Sequence, residues 1–261
     1  MKFLSSNLSI LLLGKFMSLF ASNLFTFVAG LTVLTTTGSG LQFAFVLLAG
    51  TLPRVLLSPF AGAYADKLDR KRVIIRMESL NGGLFLLAGV GSLLWTFEAP
   101  AFYVITFFLA IVSTFLSVTL SSSIPLLFEE DELQRANSLI QSIISISSIG
   151  TPLLAGALFK LIPIPVFLFS SALFFMIAAL LASRLKFHQK EVAPTEQSTW
   201  EDVRSGLSYL KQQRVLWTVA VLAAFLNFFF VASEVLFPIA ALQEVGVSPF
   251  QFGLLESMVA I

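Results

Sequence analysis

Gly62-Ala63-Tyr64-Ala65-Asp66-Lys67-Leu68-Asp69-Arg70-Lys71-Arg72 is a dense charge cluster set between two long apolar runs. Upstream, Gln42 to Ala65 carries one charge, Arg54; downstream, Val73 to Phe97 carries only Arg76 and Glu78, both near its start. Apolar runs of this length suit membrane-spanning helices, which need about 20 mainly apolar residues. A short basic loop between two spans also fixes topology, because Lys and Arg beside spans stay on the cytoplasmic side.

The whole chain points the same way. It is 57% hydrophobic and 12% charged, with a mean hydropathy of +0.91. Soluble domains are about 45–50% apolar and about 25% charged. The 28 phenylalanines suit lipid-facing helix surface, and a net charge of +1 suggests no nucleic-acid partner. The chain has no cysteine, which excludes disulfides and thiolate metal sites. His188, the single histidine, sits among Arg184, Lys186 and Lys190 and reads as a solvated loop residue. No phosphate loop, nucleophile elbow or zinc spacing occurs, so the expected class is a non-enzyme without cofactor or metal.

Seven spans are expected: Leu8–Leu34, Gln42–Ala65, Val73–Trp95, Pro100–Ile124, Leu139–Leu161, Ile164–Ser183 and Leu216–Ala241. An eighth begins near Phe250 and is cut off at Ile261. The connections alternate between nearly uncharged (Leu34 to Leu41, Phe97 to Ala99) and charged (residues 66–72, 129–137 and 184–214). Nearly every Lys and Arg falls on one side, which puts the N-terminus in the cytoplasm of a multi-pass cell-membrane protein. Lys160 is the exception, and Lys15 lies inside the first span. The segment from Arg184 to Arg214 is too long for an ordinary loop. Within it Trp200, Val203, Leu207 and Leu210 recur at helical spacing, as in an amphipathic interfacial helix. The expected organisation is an N-terminal six-helix bundle (1–185), a cytoplasmic linker (186–214) and the start of a second transmembrane half (215–261).

Gly62-x-x-x-Asp66-Lys67-x-x-Arg70-Lys71 resembles the signature between helices two and three of the major facilitator superfamily. Further segments resemble its drug:proton antiporters related to macrolide efflux proteins and siderophore exporters. These are Thr37-Gly38-Ser39, Leu52-Pro53-Arg54, Pro59-Phe60-Ala61-Gly62, Ile124-Pro125, Leu133-x-x-Ala136-Asn137-Ser138 and Gly150-Thr151-Pro152-x-x-x-Gly156. In order, they cover most of residues 10–160. The chain departs from the pattern in three places. Asp69 replaces a usual glycine, Asn23 stands where the family often has an acid in its first helix, and the chain stops in its eighth span where members have about twelve.

The resemblance implies an all-α membrane protein, the six-helix half of a major facilitator fold plus a seventh and partial eighth helix. It implies a secondary exporter that moves small amphipathic compounds across the bilayer by alternating access, driven by a proton gradient. It assigns Gly62, Asp66, Lys67, Arg70 and Lys71 to a gate that closes against the other half, and Gly150, Pro152 and Gly156 to a helix bend. From the residues alone, Asp66 could pair only with Arg70 or Arg72, and Gly62 could permit close helix approach. Intramembrane polar residues mark candidate substrate or proton-coupling positions: Asn23, Arg54, Glu78, Asn227 and Glu234. Arg54 should face an interior or aqueous cavity, and Glu78 should pair with the neighbours of Arg76 or with the basic loop; the two asparagines could instead bond between helices. Glu129 to Glu132 read as a solvated helix cap rather than a metal site. Two alternatives stand beside transport: a truncated or split half that is inactive alone or needs a second-half chain, and a membrane scaffold using the amphipathic stretch.

Overall fold

The computed structural model describes residues 6–187 and 208–259, with the side chains of residues 63–67 outside that description. His188, most of the amphipathic stretch from Trp200, and the side chains of Asp66 and Lys67 therefore lie outside the described residues. Among the described residues eight longer α-helices follow one another: α1 Ser6–Thr37, α2 Gly40–Lys67, α3 Arg70–Leu94, α4 Ala99–Leu127, α5 Glu130–Leu158, α6 Ile164–Ser183, α7 Arg214–Ile239 and α8 Pro249–Val259. A π-helical turn, Ala240–Glu244, links α7 to α8. A short helical piece, 208–212, precedes α7. The seven expected spans match α1 to α7, each long and apolar enough to cross a membrane.

Local chemistry sets the helix ends. Gly38 adopts φ +63°, a left-handed geometry that glycine takes without strain, and so reverses the chain between α1 and α2. Ser39 then caps α2, its hydroxyl accepting from the Gln42 amide. Asp69 caps α3: its carboxylate accepts from the Arg72 amide at 3.1 Å and pairs with Arg72 Nε at 3.2 Å. The acid that breaks the family pattern is therefore a helix cap, a role for which Asp is well suited. It also supplies Arg72 with a partner other than Asp66. Helix α2 runs unbroken through Pro53 and Pro59, where the Ser58 hydroxyl donates back to the Arg54 carbonyl.

One boundary needs correction. The charged stretch 129–137 is not a loop, because α5 starts at Glu130 and carries Glu130, Asp131 and Glu132 in its first turn. Acids there complement the positive end of the helix dipole, so the charge marks the helix start rather than interrupting it. Glu129 occupies the cap position without a side-chain capping bond.

Within the bundle, α3 packs on α6 and α4, α2 on α4, and α1 on α5 and α6. An aromatic stack joins three of these helices: Phe25 meets Phe85 edge-on at 4.9 Å, and Phe85 stacks on Phe175 at 5.5 Å. All three rings are buried, among Ala21, Ala29, Leu109 and Leu168. Small residues let α3 and α6 approach. A Cβ on Gly89 would lie 2.8 Å from the Phe169 ring, and one on Gly82 would lie 2.7 Å from Met176 Sδ. Such close approach is how helices associate where lipid removes the usual hydrophobic drive.

The basic loop ties one end of the bundle together. An Arg70 guanidinium nitrogen donates to the Ser122 carbonyl of α4, and Lys71 Nζ donates to the Leu185 carbonyl beyond α6 at 2.8 Å. Asn7 at the start of α1 donates to the Lys186 carbonyl at 2.7 Å and accepts from the Lys186 amide at 3.0 Å. The start of α1, the start of α3 and the ends of α4 and α6 thus share one face of the bundle.

Helices α7 and α8 differ from one another. α8 packs against α5, whereas α7 makes only a limited contact with α2, where Ile239 abuts Gly40.

A cavity between the two sets of helices

Helices α1, α2 and α5 face α7 and α8 across a cavity of about 400 Å³. Phe27, Leu31, Phe43, Leu47, Phe230 and Phe252 give it apolar walls, with Asn23, Ser148, Glu234 and Glu256 as polar points. A second cavity of about 280 Å³ lies among α1, α2 and α4. Its lining includes Lys15, Arg54, Asn23 and the hydroxyls of Ser22, Ser58, Ser113 and Ser117. Asn23 lines both. Arg54 is 14 residues from the start of the 28-residue helix α2, so it sits near mid-membrane, about 20 Å from either end.

Of the residues expected to bind substrate or protons, Asn23, Arg54 and Glu234 are brought to these cavities. Glu78 is not paired with the basic loop as expected. It is 2% exposed and points at α1, where the Ser18 hydroxyl donates to its Oε1 at 2.5 Å. Its Oε2 has no partner among the described residues. The reason is distance along the helix: eight residues past Arg70, Glu78 lies about 12 Å up α3 from the loop, on the buried face that carries Asn81. Ser18 also lines the cavity of Lys15 and Arg54, so its hydroxyl ties Glu78 to that lining. Among the described residues Asn227 makes no bond between helices; its Nδ2 donates to the Ala223 carbonyl of its own helix at 2.8 Å.

The glycines divide. A Cβ on Gly156 would come within 2.5 Å of the Pro249 carbonyl oxygen and 3.1 Å of the Gly253 Cα. A Cβ on Gly253 would collide with the Pro152 carbonyl. Pro152, Gly156 and Gly253 therefore form a backbone-to-backbone seam between α5 and α8. Among the described residues, a Cβ at Gly150 or Gly62 would meet nothing within 4 Å. The close approach expected at Gly62 is absent among the described residues.

Three contributors escaped sequence reasoning. Lys15 reads as a stray topology charge near the start of a span, and Gly253 and Glu256 lie in the eighth span, of which the sequence shows only the start. Spacing from Gly156 offers no cue to Gly253, because the seam joins helices distant in sequence. The only available signal for Glu256 was a lone acid in an apolar run.

The matches to known proteins agree with this architecture. The family model described as Major Facilitator Superfamily matches residues 11–261. Macrolide efflux protein A of Streptococcus pyogenes is 24% identical over 228 residues, covering 84% of this chain and 55% of that protein. Its namesake in Enterococcus faecalis is 25% identical over 227 residues, covering 84% of this chain and 68% of that protein. The chain thus spans little more than half the length of the first of these relatives. A crystal structure of a bacterial homologue of the human lysosomal transporter Spinster superposes with a TM-score of 0.71 at 16% identity, covering 98% of this chain and 59% of the other. That family and that fold are those of transporters rather than enzymes. Matched over nearly its whole length and folded as such transporters are, this integral, multi-pass membrane chain belongs to the major facilitator superfamily.

Proposed function

We propose that the chain forms the first half, and the opening of the second, of a proton-driven exporter for small amphipathic compounds. It would work in the cell membrane by alternating access, with its N-terminus in the cytoplasm and no catalytic step. The observation that carries this reading is the pair of cavities that meet at Asn23, the larger with apolar and aromatic walls and a few polar groups, the smaller lined mainly by hydroxyls, Lys15 and Arg54. Binding sites for small molecules have this composition, and sites of secondary transporters lie near the midplane between repeats. The efflux role in the names of the two bacterial relatives supports the direction of transport. The orientation is supported by Lys71, Lys186 and the start of α1 meeting at one end of the bundle.

Glu78 supports proton coupling. A carboxylate withdrawn from water in a membrane bundle is a functional group by default. Its unpartnered Oε2 can accept a proton without breaking a hydrogen bond, while Oε1 keeps its link to Ser18. Uptake or release of that proton changes the charge beside the Lys15 and Arg54 cavity, which is what coupling requires. The gate residues Asp66, Lys67, Arg70 and Lys71 would bias the same equilibrium from the loop end.

A second reading is favoured by α7, none of whose most apolar window is buried. On this reading transport needs further helices that cover α7, continuous with this chain or supplied by a second one. The test is efflux of a fluorescent amphipathic dye from vesicles bearing the protein under an imposed proton gradient. Gradient-dependent efflux that Glu78→Gln abolishes is expected. Efflux that ignores the gradient would sink the coupled reading, and efflux appearing only when the remaining helices are co-reconstituted would select the second reading.

A further inference from the structure

Charge is segregated between the two cavities. The larger one holds the acids, Glu234 and Glu256, on the α7 and α8 side. The smaller one holds Lys15 and Arg54 and no Asp or Glu among its lining residues. We infer that the smaller cavity binds the anionic group of an amphipathic organic anion, with Lys15 and Arg54 as its counter-charges.

Two cations at membrane depth are costly unless something offsets them. Neither the Lys15 ammonium nor the Arg54 guanidinium has an ion pair or hydrogen bond among the described residues. Glu78 shares a small adjoining void with Lys15 but takes the Ser18 hydroxyl on Oε1, and no ion pair joins it to the lysine among the described residues. Donors are available as well. The hydroxyls of Ser22, Ser113 and Ser117 line the cavity and donate to no carbonyl or side chain among the described residues, and the Asn23 amide is similarly unengaged. Cations, free hydroxyl donors and an amide N–H, without a competing carboxylate in the lining, are the groups that recognise a carboxylate, sulfonate or phosphate oxygen. The guanidinium adds a fork that can hold two such oxygens at once. The apolar body of the same molecule has room beyond Asn23, among Phe27, Phe43 and Phe230. A purely cationic amphiphile would instead meet like charges in the smaller cavity.

The inference rests on the exporter reading for treating the cavity as a substrate site, and goes beyond it by naming the charge the substrate carries. Purified full-length chain in phosphatidylcholine nanodiscs is titrated with pyrenebutyrate and, separately, with pyrenebutylamine, read by pyrene fluorescence. Pyrenebutyrate is expected to bind at least about tenfold tighter than the amine, a difference one desolvated charge contact readily supplies. Arg54→Gln and Lys15→Gln should each weaken pyrenebutyrate by about tenfold, while Arg54→Lys, which keeps the charge but not the fork, loses less than Arg54→Gln. Helical circular dichroism and monodisperse elution show which variants remain folded. Nanodiscs containing phosphatidylglycerol tell the sources of the anion apart: displacement of the probe assigns the site to a lipid headgroup, and its persistence assigns it to a free compound. Equal binding of the amine, absence of pyrenebutyrate binding, or folded Gln variants that bind as the parent does would overturn the inference. Because binding is measured without a gradient, a failure of transport with intact anion binding would count against the exporter reading alone.

Discussion

Helices α1 and α7 are both long and apolar, with mean hydropathies of 1.7 and 2.3, yet 61% of the most apolar window of α1 is buried and none of that of α7. Within this chain, the more hydrophobic helix is the less packed one. Hydropathy fits both for the bilayer, whereas packing inside the six-helix bundle rests on small residues, aromatic knobs and buried polar groups. Helix α1 has all three: Ala21 and Ala29 at 0% exposure, Phe25 in the aromatic stack, and Ser18 bonded to Glu78. In α7, Phe225, Phe228, Phe229 and Phe230 stand exposed, and only Pro238 is buried. The bundle α1–α6 carries its own core, while the remainder is joined to it mainly where α8 meets α5.

Substitutions sharpen that contrast in descending order. Phe85→Ala removes the ring shared by α1, α3 and α6, and should destabilise the chain by about 3 kcal/mol, the low end for a buried Phe because lipid also solvates apolar groups. Thermal unfolding in nanodiscs measures it, and a change below about 1 kcal/mol would show that the stack is not the core. Gly89→Ala puts a methyl group against the Phe169 ring and should cost about 1–3 kcal/mol by overpacking α3 on α6. Asp69→Ala removes the α3 cap and the Arg72 ion pair, for a loss of about 1 kcal/mol. Leu222→Ala on α7, 55% exposed, should change stability by no more than about 0.5 kcal/mol. A loss there as large as that of Phe85→Ala would mean that α7 is packed after all, and the contrast would fail.

Gly156→Leu breaks the contrast from the other side. Its side chain cannot fit against the Pro249 carbonyl, so α8 must part from α5 while the aromatic core is untouched. Transport should fall at least about tenfold, with a smaller loss of stability than Phe85→Ala causes. Unchanged transport would remove the seam from the mechanism.

What was legible in the sequence follows the same division. The spans, their order and the turn at Gly38 are local: run length, loop charge and one glycine specify them. Glu129 to Glu132 were legible as a helix cap and stand at the start of α5, whereas the span was begun at Leu139 because run length registers only the apolar part of the helix. At the site, Asn23, Arg54 and Glu234 were visible as polar residues in apolar runs, because their cost in lipid is local. Direction was not visible. Nothing in the sequence shows that Glu78 turns from the basic loop toward Ser18, that Asn227 bonds within its own helix, or that Gly156 rather than Gly62 is the tight contact. Those outcomes depend on helix rotation and on partners distant in sequence, such as Gly253.

The central claim is that the polar residues of α1, α2 and α4 line a water-accessible binding cavity rather than a packed core. The chain has no native cysteine, so single cysteines report cleanly. Ser117→Cys, at the cavity, and Ser123→Cys, fully buried on the same helix, would be labelled with a membrane-impermeant methanethiosulfonate in sealed vesicles. The account predicts rapid modification at 117, slowed by a bound amphipathic anion, and none at 123. Modification at 117 only by a lipid-soluble reagent, or equal protection at both positions, would contradict it.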